Sequence, residues 1–373
     1  MNRSILFISY LSLFSLGFID NARGPIYPLI LKDLSLTFSA GSMFFTIASI
    51  FGLLVNLFSK SWLNKFGAFR PLKAFAIFQL VGNIGIGLNP NSFTLIIFFS
   101  ALYGISLGGT GIAINILVAE TTDLKYRRRA LSGMHSMYAI ASIISPLMVS
   151  YLILNDIKWN IIFLYFSIFP FLFLISTFLR TGYSHESVNK ILLNSVSLSK
   201  KIKLSAILAP YVAAEIIISS RLPLFLTKHF EYSVERSSTY LGIFFSFLFL
   251  GRLLFAIKKF QVNTLPLLKC SLIFSLIFYL LGLFNNPLWF TLCGLSMSFF
   301  FPYCLEYFSE LYPTNIHEIT SFSMISIGVF LISMHAIFGI FSQAFGIFSS
   351  FSLGILLLMI SITSLFTLKI KKI

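Results

Sequence analysis

Long runs of apolar residues without any charge dominate the chain. Residues 74–119 form a run of 46 residues without Asp, Glu, Lys or Arg, residues 270–305 one of 36, and residues 319–368 one of 50. A helix that crosses a bilayer needs about 20 residues, because it rises about 1.5 Å per residue through a core about 30 Å thick. Each run therefore predicts two membrane spans.

Turn signals near the middle of these runs divide each one into its two spans. They are NPNS at 89–92, NNP at 285–287 and SQAFG at 342–346. Shorter apolar segments predict six single spans, near 5–30, 40–59, 130–154, 159–179, 204–226 and 238–257. No small-residue cleavage site follows residues 1–19, so we expect an uncleaved first span. The pattern as a whole predicts twelve spans.

The composition places these helices in lipid. Of 373 residues, 57% are hydrophobic and only 10% are charged, and Phe alone occurs 45 times. No soluble core of this size could bury so much apolar surface, and barrels would show short alternating segments instead of long runs. We predict an all-α polytopic membrane protein with twelve transmembrane helices in two pseudo-symmetric six-helix bundles.

The net charge of +15 follows the topology and does not indicate a nucleic-acid partner. With the N-terminus in the cytoplasm, 20 of the 27 basic residues fall on the cytoplasmic side, 4 fall outside and 3 lie within spans. This bias is the positive-inside rule. We therefore expect both termini in the cytoplasm and a location in the bacterial cytoplasmic (inner) membrane.

A polar stretch divides the spans six and six. We predict an N-terminal bundle over 1–180, a cytoplasmic connector over 181–203 and a C-terminal bundle over 204–373. Weak matches between the halves indicate a parallel duplication. RGPIYPL at 23–29 corresponds to RLPLFLT at 221–227, and the stretch 119–134 corresponds to 309–324.

The loop between spans 2 and 3 carries a family resemblance. Its sequence KSWLNKFGAFRPLK resembles the signature G-x-x-x-D-[RK]-x-G-[RK]-[RK] of the major facilitator superfamily. Lys65 and Gly67 match, Asn64 stands in the place of the Asp, and Arg70 comes late. The resemblance implies alternating access between two six-helix halves, with Asn64, Lys65, Gly67 and Arg70 in a gating loop.

A second stretch narrows the resemblance. NILVAETTDLKYRRRALSGMHSMYAIASIISP, residues 115–146, resembles the fucose-permease-like, proton-coupled sugar branch of that superfamily. The resemblance implies that Asp20 in span 1 carries the coupling proton and that Glu120 is a second proton-linked acid. Glu120 could instead form a salt bridge with the basic residues 127–129. His135 could take part in the proton path, or it could be hydrogen-bonded packing.

Charged residues inside spans are the main functional candidates, since each costs about 2.5–3.5 kcal/mol to insert. Asp20 and Arg23 lie three residues apart and can pair, either to hold span 1 against its neighbours or to act in transport. Glu215 and Arg221 on span 7 are predicted substrate contacts; they lie six apart and should not pair with each other. Arg23 and Arg221 correspond in the repeat and could together bind a carboxylate or a phosphate.

Several polar residues are predicted to line the path of the solute. Gly104, Gly108 and Gly111 share one face of span 4, a pattern that favours close helix packing, and Asn115 continues this face as a predicted substrate contact. Tyr138 shares a face of span 5 with His135 and is a second predicted contact. Arg252 ends span 8 and is predicted to anchor the inner gate.

The sequence contains no phosphate-binding glycine loop and no Cys/His spacing for a metal, so we expect no cofactor, no metal and no enzymatic activity. We predict a secondary active transporter, monomeric, that moves a small polar, sugar-like solute together with protons. Three alternatives stay open. They are a transporter of organic anions or phosphorylated metabolites that uses Arg23 and Arg221, a drug-type exporter, and a non-transporting membrane receptor or scaffold.

Overall fold

The structure of the protein is a computed structural model, which describes residues 2–179, 196–257, 263–312 and 314–367. All regular secondary structure in these ranges is helical, as predicted. The chain divides into two compact units, Met1–Asn189 and Lys190–Ile373. The predicted connector lies largely outside the described residues, and its last part, 198–203, belongs to the first helix of the second unit.

The first unit contains six membrane spans and one short helix. The helices are α1 (Arg3–Asp33), α2 (Phe38–Leu57), α3 (Ser59–Phe66), α4 (Arg70–Leu88), α5 (Phe93–Thr121), α6 (Leu124–Leu154), α7 (Trp159–Phe166) and α8 (Ile168–Ser176). The short helix α3 connects the second and third spans, and α7 with α8 forms one span interrupted at Ser167. Side-chain caps define several starts: Thr37 accepts the backbone N–H of Ala40, as expected of an N-cap Thr.

The second unit has the same plan. Its helices are α9 (Leu198–His229), α10 (Val234–Ile257), α11 (Thr264–Phe284), α12 (Leu288–Met297), α13 (Phe300–Leu311), α14 (Ile316–Phe351) and α15 (Leu353–Thr367). Helices α12 and α13 together form one span. Helix α14 is broken at Gly346, whose φ of 81° suits glycine, so the turn predicted at 342–346 is present.

Eleven segments of the described chain are long and apolar enough to cross a membrane. The twelfth predicted span corresponds to α15, which has 15 residues. The last span of the described chain begins after the break at Gly346, runs through residues 347–351 and continues as α15. The predicted all-helical polytopic membrane fold is therefore confirmed.

The two units repeat one packing pattern internally. In the first unit, α1 packs on α6, α5 packs on both α2 and α4, and the span α7–α8 packs on α1 and α4. In the second unit, α9 packs on α14, α12 packs on both α10 and α11, and α15 packs on α9 and α11. In both units the first span packs on the fifth, and the fourth span packs on the second and the third. This agreement supports the duplication that the weak sequence matches suggested.

Glycine permits the closest of these contacts. A Cβ atom on Gly104 of α5 would lie 2.2 Å from the carbonyl oxygen of Ala48 in α2, and one on Gly108 would lie 2.4 Å from that of Gly52. A Cβ on Gly111 would have no atom within 4 Å. Gly104 and Gly108 therefore serve helix packing, as the spacing predicts, whereas Gly111 does not.

Candidate transport site

Asp20 and Arg23 form an ion pair within α1. An oxygen of Asp20, Oδ1, lies 3.9 Å from Nη1 of Arg23, because residues three apart share one side of a helix. The Asp20 side chain is 29% exposed and that of Arg23 only 4%. The pair is longer than a hydrogen bond, so charge attraction joins the two groups without a direct hydrogen bond.

Arg23 is enclosed by protein groups of two other helices. Its Nη2 donates a hydrogen bond to the backbone carbonyl of Phe44 in α2. Its guanidinium carbon lies 4.3 Å from the ring centre of Phe44, 4.8 Å from that of Phe45 and 4.9 Å from that of Tyr103 in α5. Aromatic faces attract a cation at such distances. Arg23 thus has a binding cage of its own, which ties α1 to α2 and α5.

The second oxygen of Asp20 is held by a different helix. Tyr138 of α6 donates its hydroxyl hydrogen to Oδ2 of Asp20 at 2.7 Å. Sequence reasoning placed Tyr138 among the substrate contacts and did not connect it with Asp20. The carboxylate therefore lies between a cation on its own helix and a neutral hydroxyl on α6.

Asn115 and His135 extend the same cluster. Nε2 of His135 in α6 lies 3.3 Å from Oδ1 of Asn115 in α5, and the amide nitrogen of Asn115 donates to the carbonyl of Gly111. His135 is exposed and lies one helical turn from Tyr138. We call Asp20, Arg23, Asn115, His135 and Tyr138 the N-terminal polar cluster. The structure brings together five residues that the sequence singled out separately.

Two polar residues that sequence reasoning missed position this cluster. Asn21 donates from its amide to the carbonyl of Gly17 at 2.7 Å and to the hydroxyl of Ser142 at 2.9 Å. Ser145 donates to the carbonyl of Phe18 at 2.6 Å. The bonds that involve Ser142 and Ser145 join α1 to α6 on either side of Asp20 and on the C-terminal side of Tyr138. The only available signal was the uncharged Asn21 beside Asp20, which a search for charge in the spans passes over.

The second unit contains a separate ion pair between two helices. Oε1 of Glu215 in α9 lies 3.7 Å from Nη2 of Arg252 in α10. Nε of Arg252 donates to the carbonyl of Ser298 at 3.1 Å, in the gap between α12 and α13. The sequence assigned Glu215 to substrate and Arg252 to the gate without joining them. Their pairing links three spans of this unit.

Arg221 lies in a different environment from Arg23. Its side chain is fully buried, with Nη2 lying 3.4 Å from Nδ1 of His335 in α14 and the guanidinium over the ring of Phe338 at 5.2 Å. Arg23 is held by the second and fourth spans of its unit, whereas Arg221 contacts the fifth span of its own. Their joint binding of an anion stays a prediction. That Glu215 and Arg221 do not pair with each other stays a prediction.

The predicted gating loop lies apart from the N-terminal polar cluster. Asn64, Lys65 and Arg70 are exposed. Gly67 ends α3 with φ 69°, a left-handed conformation that glycine adopts without strain. This conformation gives a physical reason for the glycine that the signature shares. The gating role of the loop stays a prediction.

Glu120 is five residues beyond Asn115 on the same helix. It is exposed near the end of α5, and the side chains of its predicted partners Arg127 and Arg128 lie outside the described residues. Its proton-linked role is not tested. Within the described part of the chain, no group of three or more His, Cys, Asp or Glu could hold a metal ion.

Breaking the Glu215–Arg252 pair should destabilise the second unit. In Arg252→Gln, the largely buried carboxylate of Glu215 loses its cation, at a cost of about 1–3 kcal/mol. The double variant with Glu215→Gln should melt closer to the wild type, because no charge is left unpaired. Arg236→Gln is the matched control, since Arg236 is an exposed residue of α10 that contacts the Tyr232 ring. Thermal melting in detergent measures all four proteins, and equal melting of the single and double variants would contradict the pairing.

The fold and the buried charges define a polytopic helical membrane protein. The sequence profile described as Major Facilitator Superfamily matches residues 9–317, and the chain belongs to this family. No curated protein matches the sequence significantly.

Solved structures of transporters share the fold at low sequence identity. A D-xylose–proton symporter superposes with a TM-score of 0.76 at 13% identity, covering 98% of this chain and 97% of that one. The xylose transporter XylE from E. coli, in an inward-open conformation, gives 0.78 at 13%, covering 99% and 96%. A bacterial homologue of the human lysosomal transporter Spinster gives 0.72 at 14%, covering 98% and 96%. At these identities the likeness establishes the fold and not the cargo.

Proposed function

We propose that the protein is a secondary active symporter that moves a small, polar, sugar-like solute together with protons by alternating access. One observation carries the proton coupling. Asp20 is shared between a cation, Arg23 at 3.9 Å, and a neutral donor, Tyr138 at 2.7 Å. The carboxyl group therefore attracts Arg23 only when it is ionised, whereas it can hydrogen-bond Tyr138 in either protonation state.

This arrangement gives protonation a mechanical consequence. An ionised Asp20 attracts Arg23, which is bound to α2, and accepts the hydroxyl of Tyr138 on α6. A protonated Asp20 loses the attraction to Arg23 but can still hydrogen-bond Tyr138. Both groups belong to α1, so taking up or releasing a proton would change how strongly Asp20 holds the Arg23 side chain in its contact with α2. A ligand that shifts such a balance shifts the populations of the two states.

The polar side chains around Asp20 suit a solute with hydroxyl groups. Asn115, His135 and Tyr138 offer both donors and acceptors and are not fully buried. The fold shared with a D-xylose–proton symporter supports a sugar-like cargo and proton coupling. Glu215, whose side chain is 17% exposed, is proposed as a further solute contact.

An organic anion or phosphorylated metabolite is the alternative cargo. It would need the guanidinium groups of Arg23 and Arg221, which are 3% and 0% exposed. Arg23 already has the Phe44 carbonyl and three rings as partners. This burial favours a neutral solute.

Uptake into proteoliposomes with an imposed pH gradient tests the proposal. Acid outside should drive accumulation of a radiolabelled monosaccharide, chosen beforehand by thermal-shift screening of monosaccharides, organic acids and sugar phosphates. If only anions stabilise the protein and accumulate, and Arg23→Gln with Arg221→Gln abolishes their binding, the anion alternative holds. A lack of response to the pH gradient would contradict proton coupling.

We also propose that both chain termini and the 180–203 segment are cytoplasmic, in a bacterial inner membrane. The bias of basic residues supports this orientation. In a background with Cys270, Cys293 and Cys304 replaced by Ala, a cysteine at Ser187 should resist a membrane-impermeant thiol reagent in intact cells. A cysteine at Asn285 should react. Labelling of both positions from the same side would contradict the topology.

A further inference from the structure

An apolar groove lies in the first unit where α2, α3 and α4 meet. Its volume is about 510 Å³, within the ~300–1,000 Å³ typical of ligand pockets. Its wall consists almost entirely of apolar side chains: Phe51, Leu54, Val55, Phe58, Trp62, Phe66, Pro71, Ala74, Phe75 and Ile105. The one charged residue in the lining is Arg70.

The groove is held in shape by its own contacts. Nε1 of Trp62 in α3 donates to the carbonyl of Val55 in α2 at 3.1 Å, and the Trp62 ring meets the Phe75 ring of α4 edge-on at 5.5 Å. Phe58 and Phe66 remain 63% and 45% exposed beside it. The hydrogen bond and the ring contact connect the three helices across the groove, so the groove is part of the folded unit.

The charged residues of the segment that forms the groove are all basic. Lys60, Lys65, Arg70 and Lys73 lie along α3 and the start of α4, and residues 34–119 contain no Asp or Glu. Lys65 and Arg70 are exposed. A guanidinium binds phosphate through paired hydrogen bonds, and each cation near an anionic membrane surface contributes about 1 kcal/mol of attraction.

We infer that this groove is a binding site for an anionic phospholipid of the surrounding leaflet. An acyl chain fills the cleft between α2 and α4, and the phosphate binds Arg70, with Lys65 adding charge. The chemistry of the site requires both parts. The apolar wall selects a hydrocarbon chain, and Arg70 with the other basic residues of α3 and α4 selects a negatively charged headgroup.

Native mass spectrometry of the full-length protein tests the site. The probes are phosphatidylglycerol and phosphatidylcholine with identical acyl chains, titrated into the detergent-purified protein. The wild type should bind phosphatidylglycerol at least about fivefold more tightly, as expected for one cation near the surface. Arg70→Gln should lose this preference, and Arg70→Lys should keep most of it. Ala74→Trp should weaken binding of both lipids, because the indole would occupy the groove.

Lys158→Gln is the matched control. Lys158 is an exposed cation at the start of α7, near the end of α4 opposite to Arg70, where Asn160 bonds the carbonyl of Gly87. Its substitution should leave lipid binding unchanged.

Equal binding of the two lipids by the wild type, or an equal effect of Arg70→Gln and Lys158→Gln, would overturn the inference. So would a dimer peak that Ala74→Trp removes while lipid binding is unaffected, since the groove would then hold a second copy. Arg70→Gln changes only an exposed side chain, so its result decides the question even if Ala74→Trp folds poorly.

Discussion

Asp20→Asn should abolish uphill, pH-driven accumulation of solute while exchange between equal pools continues. The amide keeps the shape of the side chain and can still accept the hydrogen bond from Tyr138, which is 2.7 Å from the carboxylate in the wild type. It cannot bind and release a proton, so coupling is lost and the solute path is kept. Reconstituted vesicles measure both quantities, accumulation with an imposed pH gradient and counterflow without one. We expect accumulation to fall to the level of equilibration and exchange to change by less than about threefold, a free-energy change below ~0.7 kcal/mol.

Asp33→Asn is the matched control for this experiment. Asp33 lies at the end of the same helix and accepts a hydrogen bond from Nε1 of Trp159 at 2.7 Å, a bond that an Asn oxygen can also accept. This variant should still concentrate the solute. If Asp20→Asn also does so, Asp20 is structural and the coupling proton is carried elsewhere, with Glu120 the next candidate. If both exchange and accumulation disappear, Asp20 serves solute binding or folding.

Gly104→Ala should strongly destabilise the first unit, whereas Gly111→Ala should not. The added methyl at residue 104 would meet backbone atoms of Ala48 at 2.2–2.7 Å, so α2 and α5 would have to separate. Overpacking costs about 1–3 kcal/mol even where side chains can adjust, and backbone atoms can adjust less. At residue 111 nothing lies within 4 Å, and Ala is favoured over Gly in a helix by about 0.8–1.0 kcal/mol.

Thermal melting and size-exclusion profiles of the two variants test whether Gly104 is required for the packing of α5 on α2. Both substitutions are the same and both lie on α5, so differences in membrane insertion largely cancel. Gly104→Ala should show a lower melting temperature and a smaller monodisperse fraction. Equal stability of the two variants would mean that the close α2–α5 contact does not limit folding.

The architecture could be predicted because it depends on local sequence properties. The lengths of uncharged runs set the number of helices, and the turn signals set their ends, since a backbone in lipid must satisfy its hydrogen bonds within each helix. The break at Gly346 and the helix ends around residues 89–92 and 285–287 follow these signals.

The candidate site could be predicted only as a set of separate residues. Charge in a membrane span identified Asp20, Arg23, Glu215 and Arg252, because burying charge is costly wherever it occurs. Spacing predicted the pairing of Asp20 with Arg23, because residues three apart share one side of a helix. It could not identify partners on other helices. Tyr138 and Asp20 are 118 residues apart, and Glu215 and Arg252 belong to different helices.

The sequence by itself determined that this is a membrane protein of twelve helical spans in two halves, with charges that need protein or water as neighbours. These properties follow from hydrophobicity and helix geometry, which act over about 20 residues at a time. Only the tertiary structure decided which charge meets which partner. The cage around Arg23, the bond from Tyr138 to Asp20 and the pairing of Glu215 with Arg252 depend on helix rotation and depth. Side-chain packing between helices fixes rotation and depth, and no local pattern encodes it.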